Sequence, residues 1–290
     1  NELPLVFRLR AFLEWDRHTM KSIIENGLEW GEKAVVALSE LGDLYEIARA
    51  YCNLATCLFF NEYCFIAELE EKERNRLKAI KYLNKAVDIS EKLGDAYLLG
   101  KSHLWLGTHT GGEESIKHSE KGLECGEKTR DNLLKAGCLD FLAYVTGWKS
   151  FAAEDPDQRA KLGEKAMEFY DKAQHQYSII SFMSPRGGIL APPGGYAEYY
   201  LFSATYETEP EKKLEFLEKS EKAGIEALKK AEDSDIPYVI GIMLHILSKT
   251  LQYRASIEED FDTKRSLLDR AMKCREKNIE ITEQLTPFDY

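Results

Sequence analysis

Between Ile80 and Leu93 the apolar and small residues fall at steps of three and four, at Ile80, Leu83, Ala86 or Val87, Ser90 and Leu93. Lys81, Lys85, Asp88, Glu91 and Lys92 occupy the opposite side. That period predicts an amphipathic helix that buries one face. The stretches that follow such helices are more apolar and set small residues among large ones: Ala48, Tyr51, Leu54, Ala55 and Leu58; His103, Leu106 and Gly107; Leu139, Leu142 and Ala143; Leu244, Leu247 and Ser248. A large-small pair such as Leu54-Ala55, Leu106-Gly107, Leu142-Ala143 or Leu247-Ser248 lets a neighbouring helix come close. The pattern predicts an all-α protein made of helix hairpins, with the apolar helices forming the inner layer of a stack.

The hairpins recur. Glu32-Lys33-Ala34, Asn84-Lys85-Ala86, Glu120-Lys121-Gly122, Glu164-Lys165-Ala166, Glu221-Lys222-Ala223 and Asp269-Arg270-Ala271 are separated by 52, 36, 44, 57 and 48 residues. Glu32 to Asp43 and Asn84 to Asp95 have the same length and close on the same Leu-Gly-Asp. Gly42 and Gly94 stand where a helix ends in a left-handed residue, and Asp43 and Asp95 stand where the next helix needs a cap. Glu120 to Asp131 repeats the length with Arg130 in place of glycine. Further helix starts are predicted at Thr208-Glu209-Pro210-Glu211, a capping box with Pro in the first turn, at Asp155-Pro156, and at Ser234 with Pro237. About a dozen helices in six irregular units follow, forming one domain over residues 1–290, a right-handed α-solenoid with no Gly-rich linker dividing it.

These residues resemble the tetratricopeptide repeat family, whose first helix carries a large residue followed by Leu-Gly or Leu-Ala and whose second carries Lys-Ala before an apolar stripe. The Leu-Gly-Asp junctions look most like the looser arrays of bacterial and archaeal regulators, including the sensor domains of maltose-regulator-type activators. The resemblance covers roughly residues 19 to 284. It implies a superhelix of hairpins and a binding groove, and says almost nothing of the ligand. The usual unit is about 34 residues, and only the 36-residue gap comes near it. HEAT-type helix pairs, at about 40 to 47 residues, are the structural rival.

Composition changes the picture where partners are concerned. Lys and Arg number 39 against 50 Asp and Glu, a formal net charge of −11. Binding to phosphate backbones or anionic lipid calls for the opposite excess, so nucleic acid and membrane are not expected as direct partners. No run of about 18 apolar residues is long enough to span a bilayer. The chain begins Asn1-Glu2-Leu3-Pro4, without Met, which suggests a piece of a longer protein. Its six cysteines, at 52, 57, 64, 125, 138 and 274, fit neither zinc knuckles nor a secreted disulfide framework. A reducing, cytoplasmic setting with buried thiols is the simplest reading, and Cys57 and Cys64 would share one helix face.

Catalytic signatures do not emerge. The six histidines are 18, 103, 109, 118, 175 and 245, and no His-Glu-x-x-His, Gly-x-Ser-x-Gly or phosphate-binding glycine loop is present. The reading is therefore of a protein that is not an enzyme and requires no cofactor or metal. One segment breaks the helical pattern: residues 184 to 196 hold three Pro and four Gly, and the loop 185–195 carries Arg186 ahead of Tyr196, Tyr199, Tyr200 and Phe202. Loops inserted into regular scaffolds often hold binding residues, so Arg186, Tyr196 and Tyr199 are candidate contacts.

From the resemblance, one face of the apolar helices lines a concave groove. The candidate groove residues are Arg49, Asn53, Thr56, Lys101, Thr108, Asp140, Tyr144, His245, Lys249 and Gln252. The family's carboxylate clamp of Lys, Asn and Arg is not reproduced. The expected function is a non-catalytic scaffold that binds a peptide or helix of a partner protein in the groove, with basic residues at the partner's rim. The alternative is a small-molecule-sensing domain of a larger signalling or transcription regulator.

Overall fold

A computed structural model describes residues 17–65, 69–180, 194–233, 235 and 237–285. Among them there is no strand, and the chain forms eleven helices. In unit order these are α1 (Arg17–Leu41), α2 (Leu44–Phe65), α3 (Leu69–Leu93), α4 (Ala96–His109), α5 (Gly112–Thr129) and α6 (Asn132–Ala152). They continue with α7 (Pro156–Ile180), α8 (Gly194–Tyr206), α9 (Pro210–Asp233), α10 (Pro237–Ile257) and α11 (Phe261–Leu285). All six charged triplets lie on odd-numbered helices, and the large-small pairs lie on even-numbered ones. The described residues thus make five hairpins followed by α11.

The chain divides into two compact units, Asn1–Leu142 and Ala143–Tyr290. In the first, α1 packs on α2, α2 on α3, α3 on α4 and α4 on α5, with α2 also touching α4. In the second, α7 packs on α8, α8 on α9, α9 on α10 and α10 on α11, with α8 also touching α10. Packing in chain order, each helix chiefly on its sequence neighbours, is the architecture of an α-solenoid.

Local chemistry sets the turns. Gly42 and Gly94 have φ of 72° and 66°, where a side chain would be strained. Asp95 N–H reaches back to Ser90 O at 3.0 Å, closing the helix end. The aspartate after each glycine then caps the next helix: Glu46 N–H donates to Asp43 Oδ1 at 3.1 Å and Leu98 N–H to Asp95 Oδ1 at 2.8 Å. The third junction does the same with Arg130, at φ 56°, while Asp131 Oδ1 accepts from Leu134 N–H at 2.7 Å. Asp155 caps α7 through Gln158 N–H at 3.2 Å. In the turn that leads into α9 the Glu207 carboxylate accepts the N–H groups of Thr208 and Glu209, at 2.7 and 2.9 Å. Pro237 opens α10, and Ser234 lies outside the described residues.

The even helices form the buried layer. Leu54, Leu58, Leu98, Leu106 and Leu142 are buried in the first unit, and Val239, Met243 and Leu251 in the second. Each contributes about 2 kcal/mol by leaving water. On the odd helices the triplet's small residue reaches this layer, as Ala86, Gly122, Ala166, Ala223 and Ala271 show. Cys52, Cys57 and Cys138 are buried and in no disulfide, and burial pushes the Cys52 thiol up. The Cys64 side chain lies outside the described residues.

Candidate functional site

The second unit contains a cleft walled mostly by rings. Tyr144, Gly147, Trp148 and Phe151 follow one another at steps of three, one and three on α6, which places them along one side of the helix. Glu198, Tyr199 and Phe202 face them from α8, and Tyr170 adds a ring from α7. Together they line about 200 Å³ of empty space, counting its open mouth. Trp148 is 43% exposed and stands at the rim.

Glycines make the ring packing possible. Tyr199 lays its hydroxyl so close over Gly163 on α7 that a Cβ there would overlap it, and the nearest atom to a Cβ at Gly147 would be Tyr199 Cδ2, at 3.5 Å. Trp148 and Phe202 lie 4.9 Å apart between ring centroids, tilted by 56°. Trp148 stands nearly perpendicular to both Tyr144 and Phe151, at 76° and 88°. Phe151 in turn stacks on Tyr206 at 5.8 Å. Such offset and edge-to-face pairs add about 0.5–1.5 kcal/mol each beyond burial. They hold the rings in place.

The one carboxyl in the cleft is Glu198. No basic side chain pairs with it among the described residues, and burial pushes its pKa up to about 7. The same burial raises the phenols of Tyr199 and Tyr200. The ring row runs on along α8: Tyr196 packs on Tyr170 and Tyr200, its hydroxyl donates to the Asp171 carboxylate, and Lys219 lies over the Tyr200 ring at 5.7 Å.

The residues selected from sequence divide between this cleft and other places. Tyr144 and Tyr199 line it, and Tyr196 adjoins it. Asn53, Thr56 and Asp140, expected to face a groove, are buried at 4%, 3% and 1% exposed. This corrects the sequence reading: a buried helix tolerates such polar side chains when they bond locally, as Thr56 does to Asn53 O at 2.7 Å. Thr108 bonds Trp105 O in the same way. Arg49 pairs with Glu46 at 2.6 Å, and Lys101 lies over the Tyr97 ring at 5.7 Å. In the second unit His245 and Lys249 are exposed, and Gln252 is half-buried on Ser248. Arg186 and residues 181–193 lie outside the described residues.

The sequence reading missed Trp148, Phe151, Tyr170 and Glu198. The ring spacing on α6 was a usable signal for the first two. It also missed the His103–His118 pair of the first unit, whose rings stack at 5.1 Å with Nδ1 atoms 3.0 Å apart. One ring donates and the other accepts, so the two cannot both be protonated. Among the described residues no group of three or more His, Cys, Asp or Glu side chains could hold a metal ion. None of the described helices is long and apolar enough to cross a membrane.

No protein-family model matches the chain, and no curated protein matches it. Among solved structures it is similar to one described as a circular tandem repeat protein with novel repeat topology and enhanced subunit contact surfaces. The two share 16% identity with a TM-score of 0.36, over 98% of this chain and 72% of that one.

Proposed function

We propose that this chain is a non-catalytic, cytoplasmic interaction module of the tetratricopeptide-like kind, which binds a peptide or helix of a partner protein and anchors it in the aromatic cleft of the second unit. The observation that supports this reading is Trp148, a large aromatic side chain held half-exposed beside an open cleft of other rings. Tryptophan and tyrosine in such settings dominate the energetics of protein interfaces. Its enclosed space is about 10 Å³, room for roughly one water, far below the roughly 300–1,000 Å³ of pockets that enclose a small-molecule ligand. So shallow a cleft suits contact of its exposed rings with a partner's surface better than enclosure of a metabolite, which favours a scaffold over a sensing domain. The net charge of −11 favours a partner with basic residues at its rim, mainly through faster encounter.

The test is binding of the whole chain to an array of basic, neutral and acidic peptides. Selected peptides should bind the Trp148→Ala and Phe202→Ala variants at least tenfold more weakly, with circular dichroism unchanged. Peptides that bind wild type and both variants equally would remove the cleft from the function.

A further inference from the structure

We infer that the open side of α11, with the flank of α10 beside it, is a seat for one helix of a partner protein, apolar along the face it buries and acidic along its edge. This seat is separate from the aromatic cleft and goes beyond it.

The repeat itself defines the seat. A triplet helix packs on the even helix before it and on the even helix after it, as α3 does on α2 and α4 and α9 on α8 and α10. On α7 and α9 the second of these sides can be followed residue by residue. Gly163 lies under the Tyr199 hydroxyl of α8, Ser220 Oγ stands 2.9 Å from Thr250 Oγ1 of α10, and a Cβ at Gly224 would meet Leu247 Cδ2 of α10 at 2.8 Å. Gly163 and Ser220 come three residues before the alanine that ends their triplets, and Gly224 comes one residue after it. The first of these places is buried on all five earlier triplet helices, as Gly31, Leu83, Ser119, Gly163 and Ser220.

On α11 the same two places are Leu268 and Met272, 43% and 58% exposed. Ile279 continues their stripe and is 50% exposed. The helix packs chiefly on α10, where Leu267, Ala271 and Cys274 join Leu251 and Ala255. A helix that closes a stack against water carries a polar outer face, and α11 does not.

The flank of α10 extends the seat. Two residues before the large-small pair, Cys52 on α2 stands 3.1 Å from Ser102 on α4, and Leu104 on α4 would stand 3.1 Å from a Cβ at Gly137 on α6. That place therefore faces the next even helix. On α10 it is His245, which is exposed.

Both parts of the seat are surfaces that earlier hairpins cover with a helix, so its occupant is a helix, with an apolar face to match Leu268, Met272 and Ile279. Its charge follows from the rim. Burial, then the charges of Lys249 and Arg275, hold His245 below the usual histidine range, which sets both cations at one edge of the seat. The acids of α11 lie elsewhere: at 100° per residue Asp269, Glu276, Glu280 and Glu283 fall roughly 60–120° around from Leu268, on the side away from α10. An acidic edge on the incoming helix meets Lys249 and Arg275 and fixes its direction and register. A second copy of the chain is a poor occupant, because it brings a net charge of −11 against another of −11.

The probes are three fluorescent helical peptides of the length of α10, 21 residues, with Leu and Ala along one face in the large-small spacing. One carries Glu on its edges, one carries Lys there, and one has Ser for every Leu. Each is titrated against the full chain by anisotropy, and the chain alone is sedimented over the same concentrations. We expect the Glu peptide to bind at least tenfold more tightly than the Lys peptide, and the Ser peptide not to bind. Leu268→Ser with Met272→Ser should weaken the Glu peptide at least tenfold. Lys249→Glu with Arg275→Glu should reverse the preference, so that the Lys peptide binds more tightly. All four side chains are exposed, so both double variants should fold, which thermal melts verify.

Equal binding of the Glu and Lys peptides would overturn the inference, as would undiminished binding by the Leu268→Ser, Met272→Ser variant. A dimer of the chain that this variant dissociates would give the seat to a second copy and overturn it too. If none of the helices binds while array peptides still require Trp148, this inference fails and the cleft reading stands. If the Glu peptide binds as expected and array peptides are indifferent to Trp148, the seat stands and the cleft reading fails.

Discussion

Gly100 on α4 and Gly122 on α5 meet backbone to backbone in the first unit. A Cβ at Gly122 would lie 3.1 Å from Gly100 O and 2.8 Å from Cys138 Sγ, and one at Gly100 would lie 2.6 Å from both Cys125 Cβ and Leu134 Cδ2. This contact explains why the third triplet reads Glu-Lys-Gly where the other five end in Ala. Gly122→Ala should destabilise the protein by up to about 2 kcal/mol, because overpacking of roughly 1–3 kcal/mol outweighs the helix-propensity gain of about 1 kcal/mol. Gly111→Ala is the control, since nothing lies within 4 Å of a Cβ there. Urea unfolding of both variants checks this, and a stabilised Gly122→Ala would show that the two helices can move apart freely.

Arg130 occupies the left-handed position that Gly42 and Gly94 fill at the two earlier junctions. A non-glycine residue there stores strain on the order of 1 kcal/mol. Arg130 is exposed, and its backbone N–H bonds Glu127 O at 3.2 Å whatever the side chain. Arg130→Gly should therefore stabilise the protein by up to about 1 kcal/mol. A lower melting temperature for the variant would mean that the arginine side chain contributes more than its backbone costs.

These junctions were legible in the sequence because their causes are local: a positive φ, a cap three residues before the N–H it serves, and a fixed count between turns. The layers were legible for the same reason, since the small residue of a triplet must face the neighbouring helix. The contents of the interior were less so. A polar residue on a buried helix looks like a surface residue until its bond to the preceding turn is seen, and Thr56, Ser102 and Thr250 all bond backward to their own helix. The cleft needed three helices brought together, and neither Glu198 nor Tyr170 shows from sequence alone that it faces Trp148. His103 and His118 are a different matter: they lie seven or eight residues either side of the turn at Thr110-Gly111, so an antiparallel hairpin had to pair them.

That histidine pair should make the first unit sensitive to acid. Burial, the neighbouring ring and Lys121 lower the His103 pKa from 6.5 to about 4, and burial followed by Lys121 lowers His118, with Glu114 opposing. The unfolded chain binds a proton near pH 6.5 and the folded pair does not. The stability is thus fully present above pH 6.5 and is lost as pH falls toward 4. After allowance for solvent screening the loss is on the order of 2 kcal/mol. Urea midpoints at pH 7.5 and 5 should separate clearly for wild type and converge for a His103→Gln/His118→Gln variant. An unchanged difference in that variant would place the acid sensitivity elsewhere.

Glu198 predicts the opposite slope. Its pKa stands at about 7 in the fold against 4.5 when unperturbed, so between those values the folded state holds a proton that the unfolded state has released. Stability falls as pH rises from 4.5 to 7, by about 3 kcal/mol in total. Glu198→Gln should be nearly neutral at pH 5 and stabilising at pH 8. Thermal melts of wild type and variant at both values decide it, and equal effects at the two pH values would show that the carboxyl is better solvated than its place in the cleft implies.

Glu221 is the first residue of the fifth triplet, a position exposed in the others, yet its side chain is only 9% exposed. It is held between Arg254 on α10 and Arg270 on α11, each joined to it by a charge-assisted hydrogen bond, with Glu218 3.5 Å from Arg254. Removing the carboxylate leaves Arg254, 20% exposed, without its closest counter-charge. Glu221→Gln should therefore cost about 2–3 kcal/mol, below the upper range for a fully buried pair because Arg270 is 46% exposed. The two arginines are not equivalent. Double-mutant cycles should give a Glu221–Arg254 coupling above 1 kcal/mol and a Glu221–Arg270 coupling below it, since water screens the more exposed pair. Replacing Glu221 and Arg254 together by Leu and Met should cost less than Glu221→Gln alone, because the only charge then left without Glu221 is the half-exposed Arg270. If the two couplings are equal, or the double replacement is the most damaging of the set, the ion pairs are holding α9, α10 and α11 together rather than neutralising a charge the packing has trapped.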